Sequence, residues 1–330
     1  MVGRYWAMAA SVAALCLSTN VLAQDAWKLG SVGAPGSALV EMGDAVAAAM
    51  TEAGGDEFSV ERQYIGNEQE MVQQVLRGRI QVGATSAQGL GVVVPDQTVL
   101  AFPYLWDSIP QRDFVMENHV KPTLDELLAE KGLKLLAIGD AGFYGVFCQF
   151  DCHDPDSLVD VKVRVSATPA AHLFWETRKA NGVQMPLSEL WPGLEQNLVR
   201  AADIPFAFYL TTPAVESAPH FVNTNHFHAP WIFFMNKGVW DGLSAERQTA
   251  IMDGLPSQDL LLSAYQRELA EAQGKFAALG GQFYELDAAA EAKWRAGVEE
   301  RLPELLENMG PGAKRLFDAV QAGKTAFASK

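Results

Sequence analysis

Residues 159–165 read VDVKVRV, and the two cations in this stretch are the first residues whose type and spacing could do chemistry. Lys162 and Arg164 alternate with Val161, Val163 and Val165, the period of a strand with one face in the core and the other toward water or a cleft. On an open face a guanidinium is an ordinary solvated side chain. Fixed in a cleft, it offers two parallel N–H donors that match a carboxylate in orientation as well as charge. The surrounding chain is acidic: 25 basic against 40 acidic residues give a formal net charge of −15. A field of that sign repels nucleic acid and anionic lipid, so neither is an expected partner, and an anion needs a specific local cation.

Other chemistry-bearing residue types lead less far. His220, His226 and His228 cluster in HFVNTNHFH, and paired histidines on one strand face can ligate zinc. No nearby acid or cysteine completes such a site, so no metal is expected. Gly89-Leu90-Gly91 lacks the rest of a dinucleotide fingerprint, and neither a GxxxxGK(S/T) phosphate loop, a GxSxG elbow nor an HExxH helix occurs. No cofactor is expected, and nothing local supports an enzyme.

The N-terminus reads as a processing segment. Arg4 gives a positive start, Ala7–Leu17 an apolar run too short to span a bilayer, and Val21-Leu22-Ala23 a small-residue cleavage site before Gln24. Residues 1–23 are therefore expected to be a signal peptide cleaved after Ala23, with the mature protein exported to the periplasm. Cleavage removes Cys16 and leaves Cys148 and Cys152. In an oxidising compartment these two could pair, or stay reduced and packed; their spacing is unlike a CxxC redox centre.

The elements that must position Arg164 alternate along the chain. Strand patterns at Trp27–Val32, Phe58–Ile65, Ile80–Thr85, Val99–Leu105 and Lys134–Ile138 are separated by helical patterns, among them Glu68–Leu76 and Arg112–Lys131. This rhythm predicts a parallel, doubly wound sheet. A second α/β unit starts near Gly142, with a strand at Phe143–Phe150, the VDVKVRV strand, and helices at 168–181 and 187–198. Phe221–Asn236 is aromatic and strand-like, and Ser244–Met252, Ser257–Leu279 and Ala288–Met309 are helical. The expectation is α/β: a two-lobed, periplasmic-binding-protein-like fold, each lobe a doubly wound sheet flanked by helices. Lobe I takes 24–141 plus 230–269, lobe II takes 142–229 plus 270–330, and long C-terminal helices brace both.

Six segments in order resemble a known family: WKLGSVGAPGSALVEMGDAV, YIGNEQEMVQQVLRGRIQVGATSA, VLAFPYLWDS, SLVDVKVRVSATPAAHLFW, VQMPLSELWPGLEQNLVRAADIPFAFY and MNKGVWDGLSAERQTAI. Together they are similar to the solute-binding subunit, DctP type, of tripartite ATP-independent periplasmic (TRAP) transporters. The resemblance implies a binder of small organic acids that closes about a hinge and delivers its ligand to membrane permease subunits. By position, Arg164 is the arginine that pairs with the ligand carboxylate. Where many members carry a second arginine this chain has Tyr144, so a dicarboxylate loses an anchor. In LVRAADIP, Asp203 takes the family's acidic position and Ile204 replaces an asparagine. Arg164 opposed by Asp203 would suit a monocarboxylate with a hydroxyl or amine, or a zwitterion; Asp203 could equally cap a helix or pair with a structural cation.

Lobe I is expected to contribute Asn67, Thr85, Ser86 and Gln88, at or near strand ends bordering the crevice; Asn67 could instead only cap the next helix. Trp231, Phe208 and Tyr209 are candidates for an apolar wall, or for core. A monomer is expected, a dimer being open. The alternatives to transport are a periplasmic lyase or hydrolase, or a sensor subunit, on the same scaffold.

Overall fold

In the computed structural model the described residues are 24–33 and 35–330; the signal-peptide reading of 1–23 lies outside them. Ten strands form among these residues: β1 (Asp25–Ser31), β2 (Phe58–Tyr64), β3 (Val82–Ser86), β4 (Leu133–Cys148), β5 (Lys162–Val165), β6 (Asn181–Gln184), β7 (Ala201–Pro205), β8 (His220–Val222), β9 (His228–Asn236) and β10 (Gln282–Tyr284). Between β1 and β2, helix Ala38–Gly54 buries Leu39, Met42, Val46 and Met50 at helical spacing and stops at Gly55, whose φ of 55° suits glycine.

The strand order is β2-β1-β3-β9-β4-β7-β5-β6, with β8 on β4 and β10 on β8. β1, β2 and β3 are parallel, as are β5, β6 and β7. The central pair is not: β9 runs antiparallel to β3 and β4, and β4 antiparallel to β7. The sheets are therefore mixed. The chain leaves the first lobe along β4 and returns along β9, so these two must run in opposite directions.

β4 is one 16-residue strand, where the sequence suggested two. Leu133–Phe143 pairs with β9 in lobe I, and Tyr144–Cys148 pairs with β7 in lobe II. The register shifts between Asp140 and Phe143, at Gly142 with φ 88°. A bulge bends the strand without ending it, so the lobes share a continuous backbone there.

Val99–Leu105 is not a strand. Pro95–Ala101 forms a 3-10 helix with Pro95 in its first turn and the Thr98 hydroxyl bonded to the Pro95 carbonyl. Its apolar residues are buried on adjacent positions instead of alternating, because helix Pro311–Ala328 covers them. That helix also corrects the lobe boundary. It packs on 95–129 through Phe317 against Phe102, Ala313 N–H to Asp96 and Lys324 to the Leu105 carbonyl, so it belongs with lobe I. Residues 288–301 do lie on lobe II, with Trp294 buried beside Phe174. Of the long C-terminal helices, Gln258–Ala278 braces both lobes. Glu268 accepts from the Ala38 N–H in lobe I, and Phe276 packs on Phe206 and Tyr209 in lobe II. Among the described residues no helix is long and apolar enough to cross a membrane.

Candidate functional site

β5 places Val163 and Val165 in the core, both fully buried, and turns Arg164 to the other face, where the opposite lobe covers it to 7% exposure. Lys162, at the strand's start, is exposed. The Arg164 Nε–H donates to the Met185 carbonyl at 3.1 Å, which fixes the plane of the guanidinium. Among the described residues Arg164 joins no ion pair within 4.0 Å. A nearly buried cation without a carboxylate is costly unless an anion joins it.

Arg164 lines a cavity with about 460 Å³ of atom-free space between the lobes. Lobe I contributes Val32, Leu39, Glu68, Ser86, Gln88 and Trp231. The crossing strand adds Ala141 and Tyr144, and lobe II adds Leu187, Ile204, Pro205 and Phe208. A mouth beside Arg164 is bordered by Asn67, Gln69 and Ser166. Two buried polar groups of the lining have no protein partner, the Gln88 Oε1 and the donor-only Trp231 Nε1. Buried polar atoms are normally satisfied, so these two, with Arg164, mark where a bound molecule offers its own polar groups.

The expected residues divide on inspection. Arg164, Tyr144, Ser86, Gln88, Trp231 and Phe208 all line the cavity. Burial, reinforced by the negative charges of Glu68 and Asp203, pushes the Tyr144 hydroxyl far above its ordinary value, so it is a neutral phenol beside Ser86. Asn67 caps helix Glu68–Leu76, accepting from the Glu70 N–H at 3.1 Å, and reaches only the mouth. Thr85 is fully buried beneath the lining, its hydroxyl donating to Glu68 at 2.8 Å. Tyr209 is core, donating to the Ala218 carbonyl.

Asp203 is the clear correction. Alternation along β7 puts Ile204 in the cavity and Asp203 on the opposite face, 1% exposed, its Oδ2 3.1 Å from the His226 Nε2. Its Oδ2 faces a buried histidine, while its Oδ1 has no hydrogen-bond partner among the described residues. His226 stacks on Phe174 at 3.8 Å and meets the Thr224 hydroxyl through Nδ1; burial lowers its pKa although Asp203 pulls the other way. His228 has a separate partner, Asp140, at 3.0 Å. The two histidines thus serve two carboxyls, and the described residues contain no group of three metal-ligating side chains.

Glu68 was not anticipated. It accepts from Thr85 Oγ1, the Ser86 N–H at 3.0 Å and Ser86 Oγ at 3.2 Å, so it fixes the end of β3 while presenting negative charge to the cavity. The available signal was an acid at the first position of a helix facing two hydroxyls. Cys148 and Cys152 are disulfide-bonded, closing a turn at the end of β4.

The sequence model of the DctP family, "Bacterial extracellular solute-binding protein, family 7", matches residues 61–308. The 2,3-diketo-L-gulonate-binding periplasmic protein of Escherichia coli K12 is 27% identical over 213 residues, 64% of each chain. The C4-dicarboxylate-binding periplasmic protein of Rhodobacter capsulatus is 24% identical over 236 residues, 71% of each. The chain spans about three fifths of the length of several such curated relatives. Among solved structures, the sugar acid binding protein of Advenella mimigardefordensis with galactonate gives a TM-score of 0.84 at 20% identity, covering 91% of this chain and 99% of that one. A TRAP periplasmic solute binding protein of Desulfovibrio salexigens with orotic acid gives 0.85 at 17%, covering 92% and 99%. At these identities the likeness is one of fold.

Proposed function

Because the chain belongs to the DctP family of bacterial extracellular solute-binding proteins, we propose that it captures a small organic acid in the periplasm and delivers it to the permease subunits of a TRAP transporter. Residues 1–23 are removed on export, after Ala23. One observation carries the reading: Arg164, 7% exposed in a cavity walled by both lobes, joins no ion pair among the described residues. A carboxylate supplies the missing charge through two parallel hydrogen bonds. Contacts from both lobes exist together only when the lobes approach, so the ligand favours the closed arrangement.

The ligands for which these relatives are named, a diketo-gulonate and C4-dicarboxylates, are acids of the same broad kind. Catalysis is not part of the proposal. Of the lining side chains, Glu68 is held by three hydrogen bonds, and burial pushes the Tyr144 hydroxyl far above its ordinary value.

The test is isothermal titration of ligand-free protein with a panel of organic acids. Arg164→Ala should weaken the best ligand by ~10²–10³-fold, the loss of about 3–5 kcal/mol that follows breaking a buried charge pair. Wild-type affinity in that variant sinks the proposal. Ligand recovered chemically unchanged after long incubation supports binding over turnover, and capture of permease subunits from membranes supports transport over sensing.

A further inference from the structure

The lining of the cavity speaks to which acid enters it, an inference resting on the carboxylate-binding reading above. Arg164 and Glu68 are the charged residues among those lining the cavity and its mouth. One carboxylate satisfies Arg164. A second would find no cation and would meet the negative charge of Glu68. A dicarboxylate is therefore disfavoured from both sides.

The rest of the wall is apolar. Val32, Leu39, Leu187, Ile204, Phe208 and Trp231 line the same space. Ile204 projects inward from β7 exactly where Asp203 turns out, so the one acid of that strand is on the wrong face. The lining polar groups without a protein partner are the Gln88 carboxamide oxygen and the Trp231 indole N–H. Ser86 is already engaged with Glu68. A sugar acid brings a hydroxyl on nearly every carbon, and most would lie against carbon with their hydrogen bonds to water lost.

We propose that the ligand is a compact monocarboxylate with an apolar body, a branched-chain or aryl short-chain acid carrying at most one further polar group, its carboxylate on Arg164 and its body against Ile204, Phe208 and Trp231. A 2-hydroxyl suits that role, since it can accept from the donor-only Trp231 N–H and donate to the Gln88 Oε1.

The experiment uses the exported protein, unfolded in guanidinium, dialysed and refolded to free it of solutes. It is titrated with 2-hydroxy-4-methylpentanoate, phenylacetate, succinate and galactonate. An apolar acid should bind at least ~10-fold more tightly than succinate or galactonate, the scale of discrimination one or two methylenes give in a fitted pocket. Ile204→Asn, checked for a wild-type unfolding transition, should narrow that gap. Tighter binding of succinate or galactonate, lost in Arg164→Ala, overturns the apolar class and leaves the carboxylate reading intact. Failure of all four acids to bind overturns both.

Discussion

Asp203 and Ile204 are neighbours on one strand, yet only Ile204 reaches the cavity. A strand's side chains alternate, so a one-residue difference decides whether a carboxyl serves a ligand or the core. Asp203→Ala leaves the His226 Nε2 buried without its partner, which should cost about 1–3 kcal/mol in denaturant unfolding while ligand affinity stays within about twofold. A large affinity loss would return Asp203 to the site. Deeper in the hinge, Asp140 joins His228 at 3.0 Å, Arg112 at 2.8 Å and the Gly142 N–H at 2.6 Å. Burial, then the Arg112 charge, bring the His228 pKa down to about 4 against the pull of Asp140. Burial opposes ionisation of Asp140, but His228, Arg112 and the Gly142 N–H outweigh it and hold that carboxyl at about 2. Both folded pKa values lie below the unfolded ones, 6.5 and 3.8. The unfolded chain takes up protons first, so stability is full above pH 6.5 and falls as the pH drops toward 4, by about 3 kcal/mol from His228, then further toward pH 2 from Asp140. Urea unfolding at pH 7 and pH 4.5 measures this, and His228→Gln should flatten the upper part of the profile. At this scale the flanking valines made the strand face of Arg164 legible, but they left it a solvated side chain or a clamp, and only the family resemblance pointed to a carboxylate. Glu68 was not legible, because its importance comes from hydroxyls on β3, a different element.

Strand β4 carries both lobes, and its bulge lies between the part paired in lobe I and the part paired in lobe II. Gly142 there has φ 88°, and a Cβ would lie 2.0 Å from the Tyr265 ring on the bracing helix. A substitution meets two penalties, left-handed backbone strain of about 1–2 kcal/mol and displacement of a packed aromatic ring. Gly142→Ala should therefore destabilise the fold by roughly 2–4 kcal/mol, read as a lowered midpoint in thermal and urea unfolding. An unchanged midpoint would mean that the helix and bulge are not coupled. The same glycine misled the sequence reading, since a glycine between two apolar runs looks like a terminator; only the pairing partner β9 shows that the strand continues. Val99–Leu105 failed for a related reason. Its apolar run is buried between helix Pro311–Ala328, helix Ala87–Leu90 and β9, and periodicity cannot separate a fully buried strand from a buried helical turn. Helix Pro311–Ala328 itself shows Ala313, Leu316 and Val320 buried at helical spacing, a pattern present in the sequence but not read.

Two lobes are joined by β4, β9, helix Gln258–Ala278 and the return of the chain between residues 301 and 311. The two-lobed plan was readable from the order of elements. The return of the C-terminal helix to lobe I was not, because a helix's apolar face does not name its partner. The arrangement has a measurable consequence. A ligand held by Arg164 from lobe II and by Gln88 and Trp231 from lobe I lowers the free energy of the closed state only, so saturating ligand should make the population more compact. It should also raise unfolding stability by RT ln(1 + [L]/Kd), about 2.7 kcal/mol at a hundredfold excess over Kd. Small-angle scattering of wild type should show a smaller radius of gyration with ligand than without. Arg164→Ala at the same ligand concentration should keep the ligand-free radius, because that variant lacks the contact tying the acid to lobe II. Gln88→Ala, which removes a lobe I contact instead, should bind more weakly but reach the same compact radius once saturated, since Trp231 still supplies the bridge. If wild type binds tightly and its radius does not change, the two lobes are already fixed as the structure shows them, and recognition proceeds without closure.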